Sequence, residues 1–294
     1  MKIAINGALD KHAVPNDLYL KKIKEIGYDG FDYTLHSGWR KLNPVFSEST
    51  EVWQKHFKEI KQRLEDNGLE ALQTHATYKT NFDDNDYLSD LCLDQYKKEI
   101  EATKILGSKY IVIHPINHAC LHVKKKFDFD VNMDMYRKFI DTLKEFDVYC
   151  CVENMWQTDH LRKRLCDTGC SSPQDMVNYI DGIGSDRFVA CLDTGHMHDL
   201  SYSPAEAVRT LGNRLKVMHV HDNFGITDDH NPIGIGNTDW DDFVLALQEV
   251  NYQGAFSLEL SPDKALKYGQ DAFFAYLTYG YYSAKALVDK IENK

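Results

Sequence analysis

The feature that most narrows the fold of this chain is the way short apolar runs end, again and again, on histidine or an acidic residue. His75 closes LQTHATY, His114 closes YIVIHP and Glu153 closes YCCVENM; Asp193 and His196 follow in VACLDTGHMH, His219 and His221 in VMHVHDN, and Glu259 in AFSLELS. Polar residues scattered by chance would not respect strand ends. If the strands are parallel and close into a barrel, the same end of every strand faces one pocket and these side chains converge. Imidazole and carboxylate are the groups that hold divalent ions and move protons, so the pattern predicts a pocket centred on a metal.

The rest of the chain alternates in step with that pattern. Candidate strands fall at 2–6, 29–35, 69–75, 109–114, 148–153, 187–193, 215–221 and 255–260. Several are near-continuous apolar runs, as expected of parallel strands covered on both sides. Amphipathic segments lie between them at 17–26, 51–66, 86–106, 132–146, 173–182, 204–212, 239–250 and 269–290. Eight βα units predict an α/β protein, a (β/α)8 TIM barrel forming one domain over 1–294. A doubly wound sheet is the alternative, but GIGNTDW lacks the strand–turn–helix setting and third glycine of a dinucleotide fingerprint. No linker or low-complexity tract interrupts the pattern.

Net charge is −11, which disfavours nucleic acid as a partner, because that binding leans on Lys and Arg against phosphate. The chain has no long apolar run and no signal-peptide pattern at its start, so the expectation is a soluble, cytoplasmic protein without a membrane partner. Cys150, Cys151 and Cys191 lie in strand-like runs and are read as buried small hydrophobes. Cys166 and Cys170 are spaced like half a zinc site, in a predicted loop, with no second pair to complete it.

Glu153, Asp193, His219 and Glu259 together make a hard-to-borderline ligand set, suited to Mn²⁺, Co²⁺, Mg²⁺ or Zn²⁺. Without a cation they would be several like charges confined in one site.

The strings VENMW, LDTGHMH, HVHDN, DDHNPIGIGNTDW and FSLEL resemble the xylose-isomerase-like superfamily of sugar isomerases and epimerases, which also contains the AP endonuclease IV type of nuclease. The similarity runs from about His75 to Pro262. In the epimerase branch the resemblance implies one divalent metal on Glu153, Asp193, His219 and Glu259. Glu153 and Glu259 would then be acid and base on opposite faces of a ketose, and His196 would hold substrate hydroxyls. His75, His114, Trp156 and His221 are further candidates for contact with substrate. In the nuclease branch a trinuclear zinc cluster implies additional ligands at His75, His114, His196, Asp228 and His230. The favoured expectation is a metal-dependent isomerase or epimerase of a sugar, sugar phosphate or cyclitol, working through a metal-stabilised enediolate. A zinc-dependent phosphodiesterase and a cyclitol dehydratase are the alternatives. The family often forms dimers or tetramers, which implies a homo-oligomer. The chain departs from both branches at Gly234-Ile235-Gly236, where the loop often reads GEG.

Basic residues on the expected site face are Arg40, Lys124, Lys125, Lys126, Arg162, Lys163 and Arg164, read as a solvated face or a phosphate contact. Tyr33, Trp39, Tyr78, Trp156 and Phe224 are aromatic loop candidates that would shape the pocket. Trp240 is expected to start a helix and pack under the barrel rim; His118, His122 and His160 are expected on surface loops. His221 is expected to hydrogen-bond to a ligand.

Overall fold

A computed structural model describes residues 1–9, 14–36, 42–78, 89–117 and 125–293, with the side chains of 125–127 left out. Eight parallel strands form one sheet: β1 (Ile3–Gly7), β2 (Gly30–Thr34), β3 (Glu70–His75), β4 (Tyr110–Ile113), β5 (Tyr149–Glu153), β8 (Phe188–Asp193), β9 (Leu215–His219) and β10 (Phe256–Leu258). β1 pairs with β10, Ile3 opposite Phe256. The ring closes between β9 and β10 through a bridge from Val220 to Leu258. There Val220 N donates to Ser257 O at 2.8 Å, and Glu259 N donates to Val220 O at 3.1 Å. The (β/α)8 expectation is met, and every candidate strand lies within a residue or two of an observed one.

The helices are α1 (Asn16–Ile26), α2 (Thr50–Asp66), α3 (Asp90–Leu106), α4 (Lys125–Arg137), α5 (Ile140–Phe146), α6 (Pro173–Ile183), α7 (Thr194–Asp199), α8 (Pro204–Leu211), α9 (Trp240–Glu249), α10 (Asp263–Leu266) and α11 (Gln270–Glu292). Their starts are chemically marked. Ser172 and Asp175 form a reciprocal capping box at α6, and the Ser203 hydroxyl accepts from Glu206 N at α8. Pro173 and Pro204 occupy first-turn positions, where a missing N–H costs nothing. The buried faces of the helices pack on the outside of the sheet. Val112, Cys151, Val189, Cys191 and Val217 form a separate, smaller cluster on the opposite strand face, inside the barrel. Since strand side chains alternate, the same inward face delivers Glu153, Asp193 and His219 two residues further on.

Three features depart from the sequence expectation. Residues 156–167, read as loop, form an antiparallel hairpin, β6 (Trp156–Asp159) with β7 (Arg164–Asp167). Cys166 therefore sits on a strand. The expected helix at 132–146 is two helices broken near Lys138 and Phe139, and α4 begins earlier, at Lys125. The short α7 follows β8 directly, where no helix was expected. No helix among the described residues is long and apolar enough to cross a membrane.

Candidate metal centre

The strand ends, the short α7 and the loop after β9 bring all nine residues of the two predicted ligand sets together in three adjoining groups, with Cys191 beside Glu153 and His219. The ligand atoms of Glu153, Asp193, His219 and Glu259 lie within 4.8 Å of one another. At their centre His219 Nδ1 is 3.1 Å from Glu153 Oε1 and 3.1 Å from Glu259 Oε2. On one side, His114 Nε2 lies 3.0 Å from Glu153 Oε2 and 3.1 Å from His75 Nε2. On the other, Asp228 Oδ2 lies 3.1 Å from His230 Nε2 and 3.5 Å from His196 Nε2. His221 joins this group, its Nε2 3.7 Å from Asp228 Oδ1 and 3.1 Å from Asp193 Oδ1. The last contact is a hydrogen bond to Asp193, and its place beside Asp228 makes His221 a fourth potential donor to that group.

Local backbone chemistry holds the donors in place. Asp193 is the N-cap of α7: its Oδ1 accepts from His196 N at 2.7 Å, so one carboxylate both faces the pocket and starts the helix that carries His196. Asn154 grips Asp193 from behind, accepting from Asp193 N at 2.8 Å and donating to Asp193 O at 3.0 Å. Gly195 is required by crowding: a Cβ there would lie 1.9 Å from His221 Cε1. Asp222 ties the following loop together, accepting from Gly234 N at 2.9 Å and from Trp240 Nε1 at 3.1 Å.

Three imidazoles share one device. Nδ1 of His75, His196 and His230 meets the backbone carbonyl of Ala76 (2.9 Å), Asn154 (2.8 Å) and Glu259 (3.1 Å). A carbonyl only accepts, so each Nδ1 donates to it and each Nε2 is turned to the carboxylates, where it carries the balancing proton until a cation takes that proton's place. Metal-binding histidines are oriented in this way.

The charges are strongly coupled. Burial alone would neutralise Glu153, but His219 and His114 beside it hold its carboxyl well below the usual range. Burial likewise opposes ionisation of Glu259 and Asp228; His219 and His230 outweigh it at the first, His196 and His230 at the second. Burial also works against the His196 and His219 cations. Asp193 and Asp228 hold His196 well above its ordinary value, and Cys191, Glu153 and Glu259 do the same for His219. Against burial, Asp228 and Glu259 lift His230 to about 9, while His114, where burial wins, is lowered. Protons on imidazole thus balance buried carboxylates, and a divalent cation can take over that balance. Glu153 Oε2 and Asp228 Oδ1 are buried without a well-formed hydrogen bond, which also fits a cation as the missing partner.

Around the donors, Tyr78 packs at 4.6 Å from the His75 ring and 4.8 Å from His114, and Trp156 meets His196 edge-on at 6.1 Å. Trp240 begins α9 and is buried as expected. Cys150, Cys151 and Cys191 are buried. Tyr33 is not a loop aromatic: it is a buried residue of β2 packed in the core. Phe224 is exposed, as is His160. Cys166 and Cys170 enter no candidate metal group among the described residues. Arg162 pairs with Asp159 at 2.8 Å at the tip of the hairpin, with Lys163 and Arg164 exposed beside it. Trp39, Arg40, His118, His122, Lys124 and the side chains of Lys125 and Lys126 lie outside the described residues. Sequence reasoning missed Asn154, Asp222 and Asp32, whose Oδ2 is 2.8 Å from His219 Nε2. Asn154 stands next to a strand-end glutamate and could have been found from that adjacency.

A family model describing a xylose isomerase-like TIM barrel matches residues 20–276. Among curated relatives, a probable endonuclease 4 of Staphylococcus epidermidis is 30% identical over 201 residues, covering 61% of this chain and 62% of that protein's length. Among solved structures, the IOLI protein with a binding zinc atom superposes with a TM-score of 0.76 at 19% identity over all of both chains. A D-psicose 3-epimerase in the presence of D-fructose gives 0.70 at 16% identity, over 98% of this chain and 99% of the other. With a match across nearly its whole length, and with the strand-end pattern intact in three dimensions, the chain belongs to the xylose isomerase-like TIM barrel family.

Proposed function

We propose that this protein is a metal-dependent isomerase or epimerase acting on a sugar, sugar phosphate or cyclitol. The observation that carries the reading is the approach of two carboxylates to one centre from well-separated strands. Glu153 ends β5, Glu259 follows β10 three strands further round, and both come within 3.1 Å of the same His219 nitrogen. A divalent ion held by Glu153, Asp193, His219 and Glu259 would supply a Lewis acid that polarises the substrate carbonyl and stabilises the enediolate. One glutamate then takes the proton from the carbon beside the carbonyl. In epimerisation the other returns a proton to the opposite face; in isomerisation one carboxylate delivers it to the neighbouring carbon. Both pKa values are held low, so placement against the carbon matters more than basicity. His196, with Nε2 facing the pocket, orients a substrate hydroxyl, and Tyr78 and Trp156 wall the site from water. Superposition over nearly the full length of a D-psicose 3-epimerase supports a pocket of this kind. The test is solvent deuterium exchange at the carbon next to the carbonyl, across a panel of ketoses and their phosphates. Wild type is expected to exchange with at least one, and Glu259→Gln to lose that exchange by 100-fold or more, on the order of a removed acid–base group. Exchange undiminished in the variant sinks Glu259 as the base.

A second reading has its own observation. The donors form three adjoining groups, two sharing Glu153 and the third touching the quartet where His221 Nε2 lies 3.1 Å from Asp193 Oδ1, as a three-metal phosphodiesterase needs, and a curated relative is named a probable endonuclease 4. That reading predicts three zinc ions per chain and cleavage of abasic-site DNA. The isomerase reading predicts one tightly held Mn²⁺ or Co²⁺ and no cleavage. Metal analysis with a nicking assay separates them.

A further inference from the structure

The metal-dependent reading places His219 among the ligands, and its second ring nitrogen has its own partner. His219 differs from the other pocket imidazoles. Its Nδ1, not Nε2, faces the carboxylates Glu153 and Glu259. Its Nε2 points to the opposite side and meets Asp32 Oδ2 at 2.8 Å. The ring N–H is not aimed squarely at that oxygen, and the two meet as a close polar contact. Asp32 lies on β2, is 1% exposed, and is held by Gln73 of β3, whose Nε2 donates to the same oxygen at 3.2 Å. Gln73 is itself fully buried. A carboxylate this deep in a barrel is costly unless something cationic or protic faces it. The only imidazole it touches among the described residues is that of His219.

We propose that Asp32 is the positioning residue of the centre: it keeps the His219 proton on Nε2, fixes the ring plane, and leaves the Nδ1 lone pair for the metal. This rests on the metal-dependent reading above. A carboxylate behind a ligand imidazole makes it a better donor, and removal of such a partner weakens metal affinity about 10- to 100-fold. Asparagine keeps an oxygen in the place of Oδ2 but loses the charge; alanine loses both. The two substitutions should therefore form a graded series.

The experiment strips the full-length protein with chelator and titrates it with Mn²⁺ and Zn²⁺ against a chelating indicator. Melting temperatures of the stripped proteins are measured alongside. Wild type is expected to bind tightly, Asp32→Asn more weakly, and Asp32→Ala about 10- to 100-fold more weakly than wild type. A second measurement does not depend on any variant folding. In ¹⁵N-histidine spectra of zinc-loaded wild type, His219 should show a protonated Nε2 and a metal-bound Nδ1. Wild-type affinity in Asp32→Ala, or a His219 bound through Nε2, overturns the assignment of Asp32 and leaves the metal reading standing. Wild-type protein that takes up neither ion overturns the metal reading and this inference with it.

Discussion

At the scale of single residues, the pocket is set as much by what is small or unchanging as by the donors. Gly195 lies against the His221 ring with no room for a methyl group. Gly195→Ala should displace His221 and the start of α7, at a cost of about 1–3 kcal/mol for overpacking. The expected outcome is a folded barrel with a lowered melting temperature and reduced metal uptake; thermal melts with metal analysis check it, and an unchanged metal content argues against the crowding. The donors were legible in the sequence because a charged or imidazole residue after an apolar run has few structural uses, and repetition of the pattern made chance a poor explanation. Asp32 was not legible. In GFDYT it reads as one polar residue inside a strand, and only the closed barrel shows that its neighbour across the interior is His219. Tyr33 was misplaced for a related reason: next to a loop in sequence, it points the other way from Asp32 on the pleated strand and enters the core.

At the scale of elements, α3 is tied to the segment after β3 by a buried carboxylate. Glu99 Oε1 accepts from the Thr77 hydroxyl at 2.6 Å and from Gln95 Nε2 at 2.8 Å, while Oε2 accepts from Thr77 N at 3.2 Å. Burial pushes its pKa up to about 7, with these hydrogen bonds pulling the other way. The folded state therefore binds a proton that the unfolded state releases near 4.5. Glu99 contributes most at pH 4 and below, and its contribution is lost as pH rises toward 7. The loss over that window is about 3 kcal/mol for a shift of this size. Denaturant unfolding of wild type and Glu99→Gln at pH 5 and pH 8 should show the wild type losing more than the variant; parallel losses would exclude Glu99 as the source. The hairpin of β6 and β7 escaped sequence reading because its strands are short, its tip is a run of charge, and neither strand carries the apolar alternation that marks a buried element. The two-helix break at Lys138 and Phe139 escaped it because the apolar spacing continues across the junction; no proline or glycine marks it.

At the scale of the whole molecule, the barrel is a scaffold whose upper end concentrates ionised carboxylates in a buried pocket. Proteins that bind an ion only when folded gain stability as the ion is added, by about 2.7 kcal/mol at a free concentration 100 times the Kd. The melting temperature is thus expected to rise with Mn²⁺ or Zn²⁺ and to fall with chelator; a melting temperature indifferent to both would contradict the metal reading. The barrel class and the strand order were legible because eight alternating units admit few closed arrangements. The division of the donors into three groups was not, since it depends on strand tilt and on the loop that returns Asp228 and His230 over the mouth.

The ring of strands is closed by pairing at Val220, Leu258 and Glu259, with His219 on one side of that seam and Glu259 on the other. The last strand to be synthesised therefore carries the last donor. Glu259 reaches the other three residues of the quartet only through this seam, so a substitution that weakens the pairing at Val220 and Leu258, far from the carboxylates themselves, is expected to lower the uptake of any ion the quartet holds.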